Sequence, residues 1–241
     1  MAELFTPVVS GRLSADIVGQ VKRAIRDGRL APGDQLPSER ELTQQLGVSR
    51  VSVRDALRML EAYGLIEVRV GARGGAFVTA PAPALVGEGM ANMLMLASVT
   101  PAEVTELRLI FELSLLPLAC ERRDEEDLEA LGAICDRGEA SLAGGAYDVA
   151  LSAEFNTRLA RCTHNTAIAL FAESFQGPLL ASLREAQRVA PQMGEAGLRE
   201  HRALVEAVRD RDAEAADAIM REHLGRTAKR VGGHRTSDDG R

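Results

Sequence analysis

Apolar residues recur along the chain in two rhythms, and the change between them falls near residue 80. From Glu39 to Leu46, and again after Ser49, the rhythm is helical: Val53, Ala56, Leu57 and Leu60 stand at i, i+3, i+4 and i+7, one stripe of a 3.6-residue period. After Gly64 it shortens. Leu65 to Val70 reads as a strand, and Ala76 to Thr79 mirrors it across the glycine-rich turn Gly71-Ala72-Arg73-Gly74-Gly75. Beyond Pro81-Ala82-Pro83-Ala84, read as a stiff linker over 81–86, no strand pattern interrupts the sequence. Seven helices are predicted there, over about 87–98, 101–122, 125–143, 147–163, 166–189, 195–210 and 212–230. The expected fold class is mainly α: residues 10–80 form a helical domain with a small β-hairpin, and residues 87–231 form an all-α bundle. The polar, glycine-rich segment 232–241 is expected to be a disordered tail.

Punctuation residues agree with this division. Ser38 caps the helix that starts at Glu39, with Glu41 completing a capping box, and Gly47 supplies the positive φ that a tight helix end needs. Ser49 caps the next helix. Thr100-Pro101-Ala102-Glu103 combines an N-cap, proline at the first helical position and a capping-box glutamate.

Two helices, a tight turn and a hairpin are the order of a winged helix-turn-helix, and the side chains fit duplex DNA. Arg50, Arg54 and Arg58 recur every four residues on a polar face beside the apolar stripe. A helix of this width enters the major groove, where arginine pairs bidentately with guanine O6 and N7, and its N-terminus offers free N–H groups to phosphate. Arg69 and Arg73 place further positive charge on the wing.

Charge changes the picture. The 241 residues carry a net charge of −6, which opposes nucleic acid. Residues 1–80, however, hold 11 Lys+Arg and 9 Asp+Glu, a net of +2, whereas residues 81–241 hold 18 and 26, a net of −8. The positive balance sits with the motif. No apolar run approaches a membrane span and the first residues do not read as a signal peptide, so a cytoplasmic protein is expected. Cys120, Cys135 and Cys162 are too few and too widely spaced for a disulfide framework or a zinc set, and read as buried thiols. No GxSxG, HExxH, P-loop or dinucleotide fingerprint is present, which argues against an enzyme.

The stretch from Leu13 to Ile66, above all the runs IRDGRLAPGDQLPSEREL and GVSRVSVRDALRML, resembles the DNA-binding domain of the GntR family of bacterial transcription regulators. The resemblance implies DNA contacts from Arg40, Arg50 and Arg54, with Ser49 and Ser52 beside them, and a wing reaching the minor groove near Gly71. Where the family often carries a polar residue before that glycine, this chain has Val70, which leaves Arg69 and Arg73 as substitutes. An all-helical bundle after such a head, together with ELRLIFE at 106–112 and two late histidines, resembles the FadR subgroup, with its ligand-sensing FCD domain of six or seven helices. The implied protein is a homodimer on palindromic operator DNA, acting as a repressor released by a small anionic metabolite, an organic acid or an acyl thioester. The alternative is a helical sensor or interaction protein without operator binding.

Four residues are candidates for the effector site: Arg108, Asn156, His201 and His223. His201 precedes Leu204, Val205 and Val208 on one apolar stripe, and His223 follows Ala216, Ile219 and Met220 on the next, so both rings face inward from successive helices. Paired imidazoles suit a divalent metal, but the subgroup's remaining ligand positions fall here on Ser152 and Asn156, leaving His201, His223 and Asn156 as a reduced donor set. No cofactor is required on this reading. Two core histidines bonded to each other, to Asn156 or to a ligand are the alternative, and Glu154 points from the wrong helix face to help. Arg108 lies on an apolar stripe with Phe111 and Leu115, where a guanidinium must be paired: either with Glu112 at i+4, or with an effector carboxylate or phosphate held bidentately. Met90, Met93, Leu94 and Ala97 read as core or dimer packing.

Overall fold

The computed structural model describes residues 11–71, 74–190 and 193–232, and the chain divides into two compact units, Met1–Ala82 and Pro83–Arg241. Of the tail expected over 232–241, Gly232 is instead the last residue of a helix, and 233–241 lie outside the described residues, as does Arg73.

The first unit contains α1 (Gly11–Arg26), α2 (Glu39–Leu46), α3 (Arg50–Ala62), β1 (Ile66–Arg69) and β2 (Gly75–Val78). Ser38 and Glu41 close the capping box at the start of α2, and Gly47 ends it at φ +63°, a conformation open to glycine at little cost. Ser49 caps α3 by accepting from the Ser52 amide. Val53, Ala56 and Leu60 are fully buried against Ile17 and Val18 of α1, Leu42 of α2, and Ile66 and Val78 of the hairpin, so the stripe read from sequence is the centre of this core. The strands pair antiparallel with Ile66 opposite Val78 and Arg69 opposite Gly75.

The connection between α1 and α2 is bound to the hairpin. The Gly33 and Leu36 amides donate to Val78 and Ala76 carbonyls, both at 2.8 Å, and the Val78 amide donates to the Asp34 carbonyl at 2.8 Å. Gln35 reaches the Gly74 carbonyl at 3.1 Å, and a Cβ on Gly74 would stand 2.4 Å from the Arg69 backbone carbonyl oxygen, so the turn must be glycine there. Pro32 to Pro37 thus works as a third rung that fixes the wing beside the helix pair.

The second unit is seven helices among the described residues: α4 (Pro83–Leu96), α5 (Pro101–Arg122), α6 (Glu125–Ala143), α7 (Val149–Arg161), α8 (Thr166–Val189), α9 (Met193–Arg209) and α10 (Ala213–Gly232). α5 packs on α10, α7 on both α6 and α8, and α9 on α6 and α10, around a core that includes Leu116, Leu131, Phe155, Leu204 and Met220. The linker is shorter than 81–86: α4 starts at Pro83 rather than 87, because proline is accommodated in a first helical turn, and it ends at Leu96 rather than 98. On α4, Met90 and Leu94 pack toward the core while Met93 is exposed. No helix among the described residues is long and apolar enough to cross a membrane. All three cysteines are buried and free, and burial pushes the Cys135 thiol up to about 11 and the Cys162 thiol up to about 12, so they remain protonated.

Candidate functional sites: a basic helix face and a buried polar cavity

In the first unit, Arg40 at the start of α2 and Arg50 and Arg54 along α3 are all exposed. Ser49 is exposed too, but Ser52 is not: it is buried, with its hydroxyl 3.0 Å from that of Ser49 and its carbonyl accepting from Ser14. Ser52 therefore braces the start of α3 against α1 instead of facing a groove, which corrects its assignment as a DNA contact. Spacing alone did not separate it from Ser49, because a cap and its i+3 partner lie on the same turn. On the wing, Arg69 lies over the Phe77 ring at 4.3 Å and donates from Nε to Glu67 at 2.5 Å, while Val70 is 95% exposed and Gly71 adopts φ +116°. Between α3 and the hairpin runs a cleft of about 350 Å³ lined by Arg54, Leu57, Arg58, Glu61 and Val68.

The second unit holds the more unusual chemistry. Arg108 is 1% exposed and donates from Nε to Glu112 Oε1 at 2.8 Å, so the intrahelical bridge is formed. It satisfies only part of the pair: Arg108 Nη1 and Nη2, Glu112 Oε2, and both amide atoms of Asn156 are buried without a protein partner. These three residues border one small cavity between α5, α7 and α8, closed by Leu107, Phe111, Phe171, Phe175 and Leu179. Its volume, about 20 Å³, is that of roughly one water. Phe111 and Phe171 meet at 4.9 Å between ring centroids, and Phe171 is itself partly exposed, so this aromatic pair is part of the wall that reaches the surface.

Neither His201 nor His223 lines this cavity. Their ring centroids are 5.1 Å apart and tilted by 44°, and His201 stacks on Phe155 at 4.1 Å with its Nε2 unpartnered. They are bonded neither to each other nor to Asn156. His223 Nδ1 instead lies 2.7 Å from Glu200 Oε2, and Arg226 binds the same carboxylate. Burial, then the neighbouring His223 and Arg108, hold the His201 pKa well below its usual value, so the ring is neutral. Glu200 stays below the usual carboxylate range although burial acts to raise it, because its hydrogen bonds from His223 and Arg226 outweigh that cost. Glu200 and the cavity-facing oxygen of Glu112 were not identified from sequence as parts of this site, since which side of its helix each carboxylate turns to depends on tertiary packing.

The donor set does not suit a metal of the zinc type. Ser152 is engaged with the Tyr147 hydroxyl at 2.9 Å, Asn156 is a neutral amide, and no third His, Cys, Asp or Glu among the described residues completes a compact group with His201 and His223. The three such donors that do gather within 4.8 Å are Asp124, Asp127 and His164, elsewhere in the bundle. There Asp127 already pairs with Arg158 at 2.9 Å, and Asp124 and Asp127 close the capping box of α6. Glu154 faces outward and binds Arg137, in line with its position on the helix.

Residues 13–78 match the family described as bacterial regulatory proteins, gntR family, and residues 103–226 match the FCD domain. The chain is 31% identical over 222 residues to the HTH-type transcriptional repressor NanR of Enterobacter sp. (strain 638), covering 90% of this chain and 85% of that protein. It is 32% identical over 224 residues to the NanR of Cronobacter sakazakii, with the same coverage. The fold is similar to that of a Streptococcus agalactiae GntR structure, with a TM-score of 0.68 at 22% identity, covering 90% of this chain and 99% of the other.

The histidine pocket generates a pH dependence. Because the folded-state pKa of His201 lies below the unfolded value, the unfolded chain binds more protons between the two. Stability is fully present above about pH 6.5 and declines as pH falls below it. Thermal denaturation across this range should show the decline, and His201→Phe, which preserves the stack on Phe155, should make it shallower. Equal acid sensitivity in the two proteins would place the cause elsewhere.

Proposed function

The chain belongs to the GntR family of bacterial transcription regulators and carries an FCD domain, so it is a DNA-binding regulator and not an enzyme; we propose that it acts as a cytoplasmic repressor, a homodimer released from its operator by a small anionic effector. The observation that carries the effector reading is the half-satisfied arginine. Arg108 presents two buried Nη groups toward the cavity, a fork that matches a carboxylate, and Asn156 stands beside it with a donor and an acceptor to spare. His201, neutral and unpartnered at Nε2, is near enough to feel the charge of Arg108 and lies beside His223. A cavity this small favours a short organic acid over an acyl thioester, and the effector enters by parting Phe111 from Phe171.

The homodimer reading is supported by an uncharged outer surface on the same helices. Leu107, Ile110, Leu170 and Phe171 are exposed on α5 and α8 in a part of the chain whose net charge is −8, where like-charged copies repel unless they meet on such a face. The relatives named as repressors motivate the direction of control. Metal plays no part in this reading, since the donors are two imidazoles and an amide.

On DNA, Arg50→Ala or Arg54→Ala should each cost roughly 1 to 3 kcal/mol in operator affinity and relax base preference, as read by titration of labelled duplexes. Two variants that bind as the parent does would show that α3 is not the recognition helix.

In the sensor, Arg108→Gln retains a polar partner for Glu112 but removes the fork. Its operator affinity without effector should match the parent, while release by short organic acids should be lost. Full release in the variant would reduce Arg108 to the partner of Glu112.

Elemental analysis of the gently purified protein should return well under one zinc, nickel or manganese per chain. Near-stoichiometric metal that disappears in His201→Ala would show that Asn156 and water complete a site.

A further inference from the structure

The cavity between α5, α7 and α8 is bordered by acceptors as well as donors without a protein partner. Arg108 Nη1 and Nη2 and Asn156 Nδ2 are buried N–H groups that donate to no protein atom, and Glu112 Oε2 and Asn156 Oδ1 are buried acceptors that receive from none. A plain carboxylate carries acceptors only. It satisfies the Arg108 fork but leaves Glu112 Oε2 unpaired and brings a second negative charge beside it. Arg108 Nε holds Glu112 Oε1 at 2.8 Å, so the other oxygen of that carboxylate stays close to the fork. Whatever donates to it must therefore sit close to the ligand's own carboxylate.

We propose that the effector is a 2-hydroxy acid: its carboxylate takes the two Nη groups of Arg108, and a hydroxyl on the adjacent carbon donates to Glu112 Oε2. The inference deepens the anionic-effector reading and rests on it. A hydroxyl suits the remaining atoms because it accepts as well as donates, so it can receive the Asn156 Nδ2 amide while it serves Glu112. An ammonium group in the same place accepts nothing and brings three N–H groups to two unpartnered acceptors. Leu107, Phe111, Phe175 and Leu179 make much of the wall apolar, so a polar atom left over there bears its full desolvation cost. With about 20 Å³ to start from, the shortest chain displaces the walls least. Glu112 is thus a specificity-determining residue: Arg108 alone accepts any carboxylate, and Glu112 selects the acid that carries a donor.

Acetate, glycolate and glycine share a two-carbon frame and differ only at the second carbon, so they separate these cases. Each is titrated near neutral pH into the full-length protein, Glu112→Gln and Arg108→Gln, with affinity read by calorimetry and by the shift in thermal midpoint. Glycolate is expected to bind the parent roughly tenfold or more tightly than acetate or glycine. Glutamine at 112 can itself donate an amide N–H to a plain carboxylate, so Glu112→Gln narrows the preference for glycolate over acetate. Should Glu112→Gln not fold, the parent's ranking decides alone. Acetate or glycine binding as tightly as glycolate, or an undiminished preference in folded Glu112→Gln, overturns the inference, and the effector reading survives where Arg108→Gln has lost the acids. If none of the three binds the parent more tightly than it binds Arg108→Gln, the effector reading falls and this inference with it.

Discussion

A guanidinium sealed inside a helical bundle with only one of its N–H edges bonded is the constraint around which the second unit is organised. Removing an arginine from water costs several kcal/mol even after relaxation, and a single bond to Glu112 recovers only part of it. The surroundings follow from that cost. Glu112 stands at i+4, where one helix can deliver it without help. Asn156, on the facing α7, offers polarity without charge. His201, close enough to feel both Arg108 and His223, is held neutral, so positive charge does not accumulate in the core.

Polar atoms left unpaired in a packed interior raise the energy of the empty state, and anything that pairs them lowers it. A ligand that supplies a carboxylate to the Arg108 fork gains from partners already desolvated and aimed. The 20 Å³ cavity sets the other side of the balance: it has room for about one water, so anything larger must displace its walls. Those walls come in part from α5 and α8, the helices that also carry the exposed Leu107, Ile110 and Leu170. A ligand biases such a bundle only by its differential affinity for two of its arrangements.

The sequence made the elements legible wherever local chemistry decides them. Helices capped by Ser38, Ser49 and Thr100 start where their caps stand, and α5, α6 and α8 span the ranges that periodicity marks. The reading slipped at Pro83, where a proline taken for linker begins a helix, and at Ser52, where a hydroxyl on the expected face turns inward to Ser49. Within the sensor, apolar spacing was enough to bring His201 beside His223 and to turn Arg108 inward. It did not reveal that His223 binds Glu200, or that the bridge from Glu112 leaves one carboxylate oxygen exposed to the cavity. Those depend on how neighbouring helices are rotated, which packing across the bundle sets and no single stripe encodes.

The two units solve opposite problems with the same residue type. On α3 the arginines are exposed, and their charge is cheap to maintain because water screens it. In α5 direction is already fixed by packing, and what Arg108 lacks is hydrogen-bond partners for its whole guanidinium. A surface arginine is satisfied by water wherever it turns, whereas a buried one is satisfied only by the partners its surroundings supply. The division of charge along the chain, +2 before residue 81 and −8 after it, keeps the two apart: the positive balance lies in the unit with the exposed arginines, and the buried one lies in the acidic unit.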